Sequence, residues 1–421
     1  MHAKARFSLF SLSYLVLAAV ILVACAAPPS SPAGTQPVET QASLPEDTEA
    51  PLPEETEPPA PEATETLIPT AEEVVETSAM RVVYLGIDGN VWVLDAPGGE
   101  ARQVTTDARA LPMDGSPPDS ETIIYYFPTI SSDGALVAYR RDAGTPVESG
   151  LEFTFGLWVT DLSTGESMQV YDRNPAGFAW KPGTHLLAYG QGVPEEYFAI
   201  RGDIDESLAT GLTGIDLDTG ESSQLVGPEG GYALYLPAWS PDGRFLSFDE
   251  LAYYEGRGNF AYYDFDTQEY VAWDEPIGLY DWSPDGEQVT YDRLTYTATG
   301  QERIFLRDRQ GGEERLFSPE FGQGYAFYPV FSPQGDRIAY FANLGALDEP
   351  FYTLFVQSLA DGEPHELGQF ESVQSPGWSP DGSRLVFSTG PSGTQVIVAV
   401  NVSDGGTTFL VEGSDPEVAG R

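Results

Sequence analysis

The sequence predicts an all-β protein built by repeating one four-stranded antiparallel unit, and three observations predict it. The tetrapeptide Ser-Pro-Asp-Gly is written three times, at 240–243, 283–286 and 379–382, each time behind a tryptophan: Trp239, Trp282 and Trp378. Degraded copies stand at Ile130-Ser131-Ser132-Asp133-Gly134, Trp180-Lys181-Pro182-Gly183 and Phe331-Ser332-Pro333-Gln334-Gly335. Runs rich in β-branched and aromatic residues flank the copies, and no long helical periodicity runs through the mature chain.

Each element of the unit, a-b-c-d, has a local reason. Ser suits the first position of a type I turn, Pro presets φ at the second, and Asp and Gly fit the last two. The tetrapeptide is therefore the hairpin tip between strands a and b. Strand b follows it, as in Gln288-Val289-Thr290-Tyr291 and Leu385-Val386-Phe387-Ser388. Strand c ends in a polar turn, as in Leu157-Trp158-Val159-Thr160 before Asp161-Leu162-Ser163-Thr164-Gly165. Strand d is short, as in Met168-Gln169-Val170-Tyr171. The large aromatic before the turn is expected to pack between neighbouring units.

The turn glycines, Gly134 to Gly382, recur roughly every 50 residues, close to the period of a propeller blade. A further unit lies upstream, with Val82–Leu85, Asn90–Leu94 and Ala101–Thr105 as b, c and d. Its strand a is not evident; Glu73-Val74-Val75-Glu76 is the one candidate. The last unit has its own strand d at Thr407–Val411. The count is thus seven blades, with six the alternative, arranged radially as a β-propeller over residues 79–413. Residues 414–421 read as a short tail. The Trp-Ser-Pro-Asp-Gly copies, followed by apolar strands ending in Tyr or Phe, resemble the WD40-like repeat of the TolB family. Similar blades occur in tricorn protease and in prolyl-oligopeptidase-type propellers. The resemblance implies an envelope role. TolB proteins also carry an N-terminal α/β domain, whose place is taken here by a polar segment.

Residues 1–24 read as a lipoprotein signal peptide. Lys4 and Arg6 precede an apolar stretch from Phe7 to Val23. Leu22-Val23-Ala24-Cys25 resembles the bacterial lipobox, which implies cleavage before Cys25 and lipidation of that residue, the only cysteine in the chain. Residues 25–78 read as a disordered tether. The stretch 26–78 holds 11 of the 34 prolines, 12 acidic residues and no Lys or Arg, a composition that buries too little apolar surface to fold. As a coil it spans roughly 40 Å, and as polyproline II up to about 160 Å. The expected location is extracytoplasmic, tethered by lipid to a bacterial membrane.

The chain has 65 acidic and 20 basic residues, a formal charge of −45. Nucleic acid is therefore not expected as a partner, since phosphate binding needs a positive footprint. Cationic ligands, basic proteins and divalent ions are attracted instead. Asp203 with Asp205, and Asp216 with Asp218, raise the question of Ca²⁺, but no Asp-x-Asp-x-Asp-Gly loop with a trailing Glu accompanies them. His185 and His365 lie in different blades without a neighbouring Cys or His, so zinc is not expected. No Gly-x-Ser-x-Gly elbow occurs and no hydrolase domain follows the blades. No cofactor is expected, with Ca²⁺ the alternative.

In a propeller the a–b and c–d turns share one face, and the b–c and d–a loops share the other. The second set is the variable one here, and binding residues concentrate in such loops. The longest runs from Gly190 to Thr213; Asp142 to Phe155 is another. Basic and aromatic residues gather in this set, and the expected ligand face comprises Arg140, Arg201, Tyr254, Arg257, Arg293 and Tyr328. An arginine-lined mouth with aromatic walls suits an anionic sugar or a peptide carboxylate. The competing reading is that these arginines pair with nearby loop acids. The sequence thus points to a binding or scaffold propeller for a protein, peptide or glycan of the cell envelope. An extracytoplasmic hydrolase or lyase acting on glycans or peptides is the alternative.

Overall fold

The computed structural model describes residues 80–111, 118, 120–148, 150–192, 209–250, 259–294, 301–321, 324–344, 351–360 and 362–420. Cys25 and the tether lie outside them. The described residues form twenty-eight strands and no helix.

The strands group into seven four-stranded antiparallel sheets, so the chain has seven blades rather than six. Blade 1 contains β1 (Val82–Leu85), β2 (Val91–Leu94) and β3 (Ala101–Gln103). Blade 2 contains β4 (Thr122–Ile130), β5 (Leu136–Val147), β6 (Gly150–Asp161) and β7 (Ser167–Tyr171). Blade 3 contains β8 (Phe178–Trp180), β9 (Leu186–Gly190), β10 (Leu212–Asp216) and β11 (Ser222–Val226). Blade 4 contains β12 (Leu234–Trp239), β13 (Phe245–Glu250), β14 (Asn259–Asp264) and β15 (Glu269–Ala272). Blade 5 contains β16 (Tyr280–Trp282), β17 (Gln288–Leu294), β18 (Glu302–Asp308) and β19 (Arg315–Leu316). Blade 6 contains β20 (Tyr325–Phe331), β21 (Arg337–Asn343), β22 (Phe351–Ser358) and β23 (Pro364–Glu371). Blade 7 contains β24 (Gly377–Trp378), β25 (Arg384–Thr389), β26 (Val396–Asn401) and β27 (Thr407–Glu412).

The last strand, β28 (Ser414–Val418), belongs to blade 1, whose order is β28-β1-β2-β3. This corrects the reading of residues 414–421 as a tail. Val82 pairs with Val418, Val83 with Glu417 and Leu85 with Ser414, so β28 is the missing inner strand. The physical reason is the edge of β1. Val82, Val83 and Tyr84 are buried, and a buried backbone edge needs a partner for its N–H and C=O groups. The strand candidate at 73–76 lies outside the described residues.

The repeated turn works as its residues predict. Ser283 Oγ donates to Asp285 Oδ1 at 2.6 Å and accepts from Gln288 N–H at 2.9 Å. Asp285 Oδ1 also accepts from Glu287 N–H at 3.1 Å, and Gly286 takes φ 69°. Ser240 and Ser379 repeat the set, and so does Ser131 in a degraded copy. At Ser332 the aspartate has moved on to position 336 and still accepts the serine hydroxyl at 2.8 Å.

The preceding aromatics lie between blades. Trp282 and Trp378 are 2% and 1% exposed. Trp282 Nε1 donates to Ser247 of blade 4 at 2.9 Å, and Trp378 Nε1 to the Val330 carbonyl of blade 6 at 3.2 Å. Basic side chains cross the joints on the turn face. Arg81 donates to the Gly134 carbonyl, Lys181 Nζ sits 4.9 Å from the Trp239 ring centroid, and Arg337 donates to the Gly382 carbonyl at 3.3 Å. At the joint of blades 2 and 3, His185 has Asp218 Oδ1 2.6 Å from Nδ1 and Asp133 Oδ2 3.0 Å from Nε2.

Candidate functional site

The innermost strands carry a second repeat, on the face opposite the Ser-Pro-Asp-Gly turns. Phe127-Pro128, Leu236-Pro237, Tyr328-Pro329 and Asp415-Pro416 each precede the blade's buried aromatic or aliphatic residue. The residue before proline takes φ of 52°, 50°, 57° and 50° respectively. The ladder with the neighbouring strand shifts register at each of these dipeptides. Such a conformation costs a bulky side chain on the order of 1–3 kcal/mol.

The bulge has a local logic. Proline has no N–H, so the extra residue leaves no orphan donor on the inner strand. In three of the four, the N–H of the residue before it turns to the preceding blade. Leu236 N–H donates to the Ala176 carbonyl at 2.7 Å, Tyr328 N–H to Asp292 Oδ2 at 3.2 Å, and Asp415 N–H to Gln374 Oε1 at 2.9 Å. Asp292 is 3% exposed and also accepts the N–H of Leu279 at 2.9 Å. Leu279 holds the corresponding position in blade 5, and Gly177 holds it in blade 3. A Cβ on Gly177, at φ 91°, would stand 2.7 Å from Cα of Leu236, so the close approach requires glycine there.

These residues are unusually exposed for their type. Phe127 and Leu236 are each 54% exposed and Leu279 is 42% exposed. Of the eleven exposed large apolar residues among the described ones, eight lie on this face; the others are Ile87, Val147, Leu294, Leu344 and Phe351. The remaining three, Met168, Leu316 and Phe409, sit on outer strands. None sits in a Ser-Pro-Asp-Gly turn. Asp415 places one carboxyl in the same ring. Burial pushes its pKa above the ordinary carboxylate range, against hydrogen bonds from Gln374 Nε2 at 2.6 Å and from Ser414.

The residues expected to form the ligand face meet different fates. Tyr328 is in the ring. Arg140 does not open into a mouth: it makes a two-bond pair with Asp142 at 2.7 and 2.6 Å, between the rings of Tyr126 and Phe155. Burial raises the Asp142 pKa, and Arg140 opposes the shift. Arg293 is held by both Glu275 and Glu314. Arg140 stands in blade 2 and Arg293 in blade 5, and each is neutralised locally, as the surplus of 65 acids over 20 bases favours. Arg201, Tyr254 and Arg257 lie outside the described residues. The segment Asp142 to Phe155, expected as a loop, is mostly the outer half of a long β5–β6 hairpin. Of the acid pairs, Asp216 caps its own turn through Asp218 and Thr219 N–H groups, and Asp218 engages His185; Asp203 and Asp205 lie outside the described residues.

Phe127, Leu236, Leu279 and Asp415 were not expected from the sequence. The signal existed: a residue-Pro pair two residues upstream of the blade's inner apolar anchor, in four blades. It competes with ordinary loop prolines in a chain that has 34.

No family model matches the chain, and neither does any curated protein. Solved structures do. An oligogalacturonate lyase in complex with manganese is similar with TM-score 0.54 and 14% identity, covering 80% of this chain and 85% of that one. The β-propeller domain of the Trilobed protease from Pyrococcus furiosus is similar with TM-score 0.50 and 14% identity, covering 69% and 86%. TolB from Acinetobacter baumannii is similar with TM-score 0.44 and 16% identity, covering 71% and 82%. At these identities the likeness is one of fold, and the fold is a β-propeller.

Proposed function

We propose that this chain is a membrane-anchored, extracytoplasmic binding or scaffold propeller that recognises a protein, peptide or glycan through its variable face. The observation that supports the reading is the distribution of exposed large apolar residues: eight of the eleven among the described residues share the face where inner strands hold Phe127, Leu236 and Tyr328 in strained backbone. Large exposed apolar side chains concentrated on one face mark an interaction surface, and backbone strain gathers at functional positions. The N-terminal segment supports the location, through Cys25 as a lipid attachment point.

Two experiments test the proposal. Envelope peptides and glycans are screened against the full chain and against a Phe127→Ser, Leu236→Ser, Tyr328→Ser variant. The ligand is expected to bind the first and not the second, with the variant melting somewhat lower because Tyr328 packs against the core of blades 6 and 7; a ligand held equally by both removes the face from consideration. Cys25→Ala is expected to move the protein from the membrane fraction to the soluble one.

A second reading, an extracytoplasmic hydrolase or lyase on glycans or peptides, draws on Asp415, a carboxyl that keeps its proton more readily than usual within the ring. Asp415→Asn abolishes turnover and spares binding under that reading, and affects neither under the first.

A further inference from the structure

Blade 2 carries a hairpin longer than its blade. β5 and β6 each run twelve residues, whereas β7 accompanies β6 only from Leu157 to Thr160. Over Gly150–Gly156, β6 has β5 on one side and, among the described residues, no strand on the other. The direction of its free groups follows from one residue. Pro146 stands opposite Leu151, and without an N–H it can occupy only a non-bonded pair. Alternation then gives residues 150, 152, 154 and 156 to the bonds with β5. Leu151, Phe153 and Phe155 direct N–H and C=O outward. Leu157 is next in that alternation, and its outward partner is Tyr171 of β7.

Edges of this kind are normally blunted by Lys, Pro, a bulge or shortness. The segment Leu151-Glu152-Phe153-Thr154-Phe155 has none of these, and Glu152 is its only charge. Leu151, Phe153 and Phe155 share one face and are half-buried, with the two phenyl rings stacked 6.2 Å apart. Glu152 and Thr154 are exposed on the other face.

We propose that this edge accepts a strand from a partner, an extended segment of alternating apolar and basic residues. Backbone bonds to residues 151, 153 and 155 supply the pairing, and side chains at every second position supply selectivity. The partner's apolar residues extend the Leu151–Phe155 stripe, and its Lys or Arg residues face Glu152 and Glu148. Charge decides against a second copy as occupant: two chains of formal charge −45 repel, whereas a cationic segment is drawn in. The inference rests on the variable face being the ligand face, since the hairpin rises from it, but it stands on different residues from the ring.

The test uses the full chain and a fluorescent peptide of alternating Lys and Val. Saturable binding is expected, with slowed amide hydrogen exchange at Leu151, Phe153 and Phe155. Phe153→Pro removes an outward N–H and no bond to β5, and is expected to weaken binding at least about tenfold at an unchanged melting temperature. Phe153→Ala, which keeps the N–H, is expected to lose about threefold. Leu151→Pro repeats the test should the first proline variant not fold. Absence of binding overturns the proposal, as does equal binding by both proline variants or equal binding of a Glu and Val peptide. A dimer in sedimentation that Phe153→Pro dissociates also overturns it, naming a second copy as occupant. A ligand lost in Phe127→Ser, Leu236→Ser but kept in Phe153→Pro sinks the edge and leaves the ring; a ligand kept in both sinks both.

Discussion

The two faces of the ring differ in how their groups are satisfied. On the Ser-Pro-Asp-Gly face, turn serines and aspartates bond one another at 2.5–2.6 Å, basic side chains cross the blade joints, and among the described residues none of the exposed large apolar ones sits in a Ser-Pro-Asp-Gly turn. On the opposite face, inner strands bulge, bulky residues sit at φ near 50°, and Phe127 and Leu236 are more than half exposed. The first face shows a frame held by bonds within the chain. The second shows a surface with apolar groups left available. Stability and recognition should therefore separate by face when residues are changed.

The largest break in that comparison is expected from the closure. Deleting residues 414–421 strips β28 from β1 and exposes Val82, Val83 and Tyr84. The expected loss exceeds about 4 kcal/mol in denaturant unfolding; an unchanged midpoint would show that β28 does not hold the ring. Next comes Trp282→Ala, which empties a core shared with Phe245, Phe260 and Tyr291 and is expected to cost about 3–5 kcal/mol. Ser283→Ala removes the acceptor of Gln288 N–H and the donor to Asp285, and about 1–2 kcal/mol should go with it.

The His185 clasp sharpens the comparison through pH. Asp218 foremost, then Asp133, raises the His185 pKa, and Asp161 also acts on it. Its charged form is thus favoured by folding. The stabilisation is complete below the ordinary histidine pKa and fades as pH rises through the raised one. The stability difference between wild type and His185→Gln should be about 1 kcal/mol at pH 5.5 and shrink by pH 9; a difference constant with pH would show that the clasp is not ionic. The smallest effect is expected from Phe127→Ser with Leu236→Ser, within about 0.5 kcal/mol of wild type in stability. A large destabilisation there would show that the ring serves packing and not recognition.

Much of the frame was legible in the sequence because its chemistry is local. Ser283, Pro284, Asp285 and Gly286 close their turn with bonds spanning at most five residues, so the tetrapeptide fixes its own geometry wherever it occurs. The expected ligand face was less legible. Arg140 and Arg293 were read from position along the strands, but a cation in an acidic fold is decided by the nearest carboxylate. For Arg293 those carboxylates, Glu275 and Glu314, come from 18 and 21 residues away.

The sequence by itself determined the blade: the a–b turn, the strand register behind it, the buried aromatic before it, and the division into a regular and a variable face. Each follows from dihedral preference and side-chain period within a short span. The tertiary structure alone decided which strand completes blade 1, the pairing of the arginines and the ring of residues before proline. β28 finds β1 because the first and last described strands meet only when the ring closes. Phe127, Leu236 and Tyr328 come to share a face only once the inner strands of blades 2, 4 and 6 are set in one propeller.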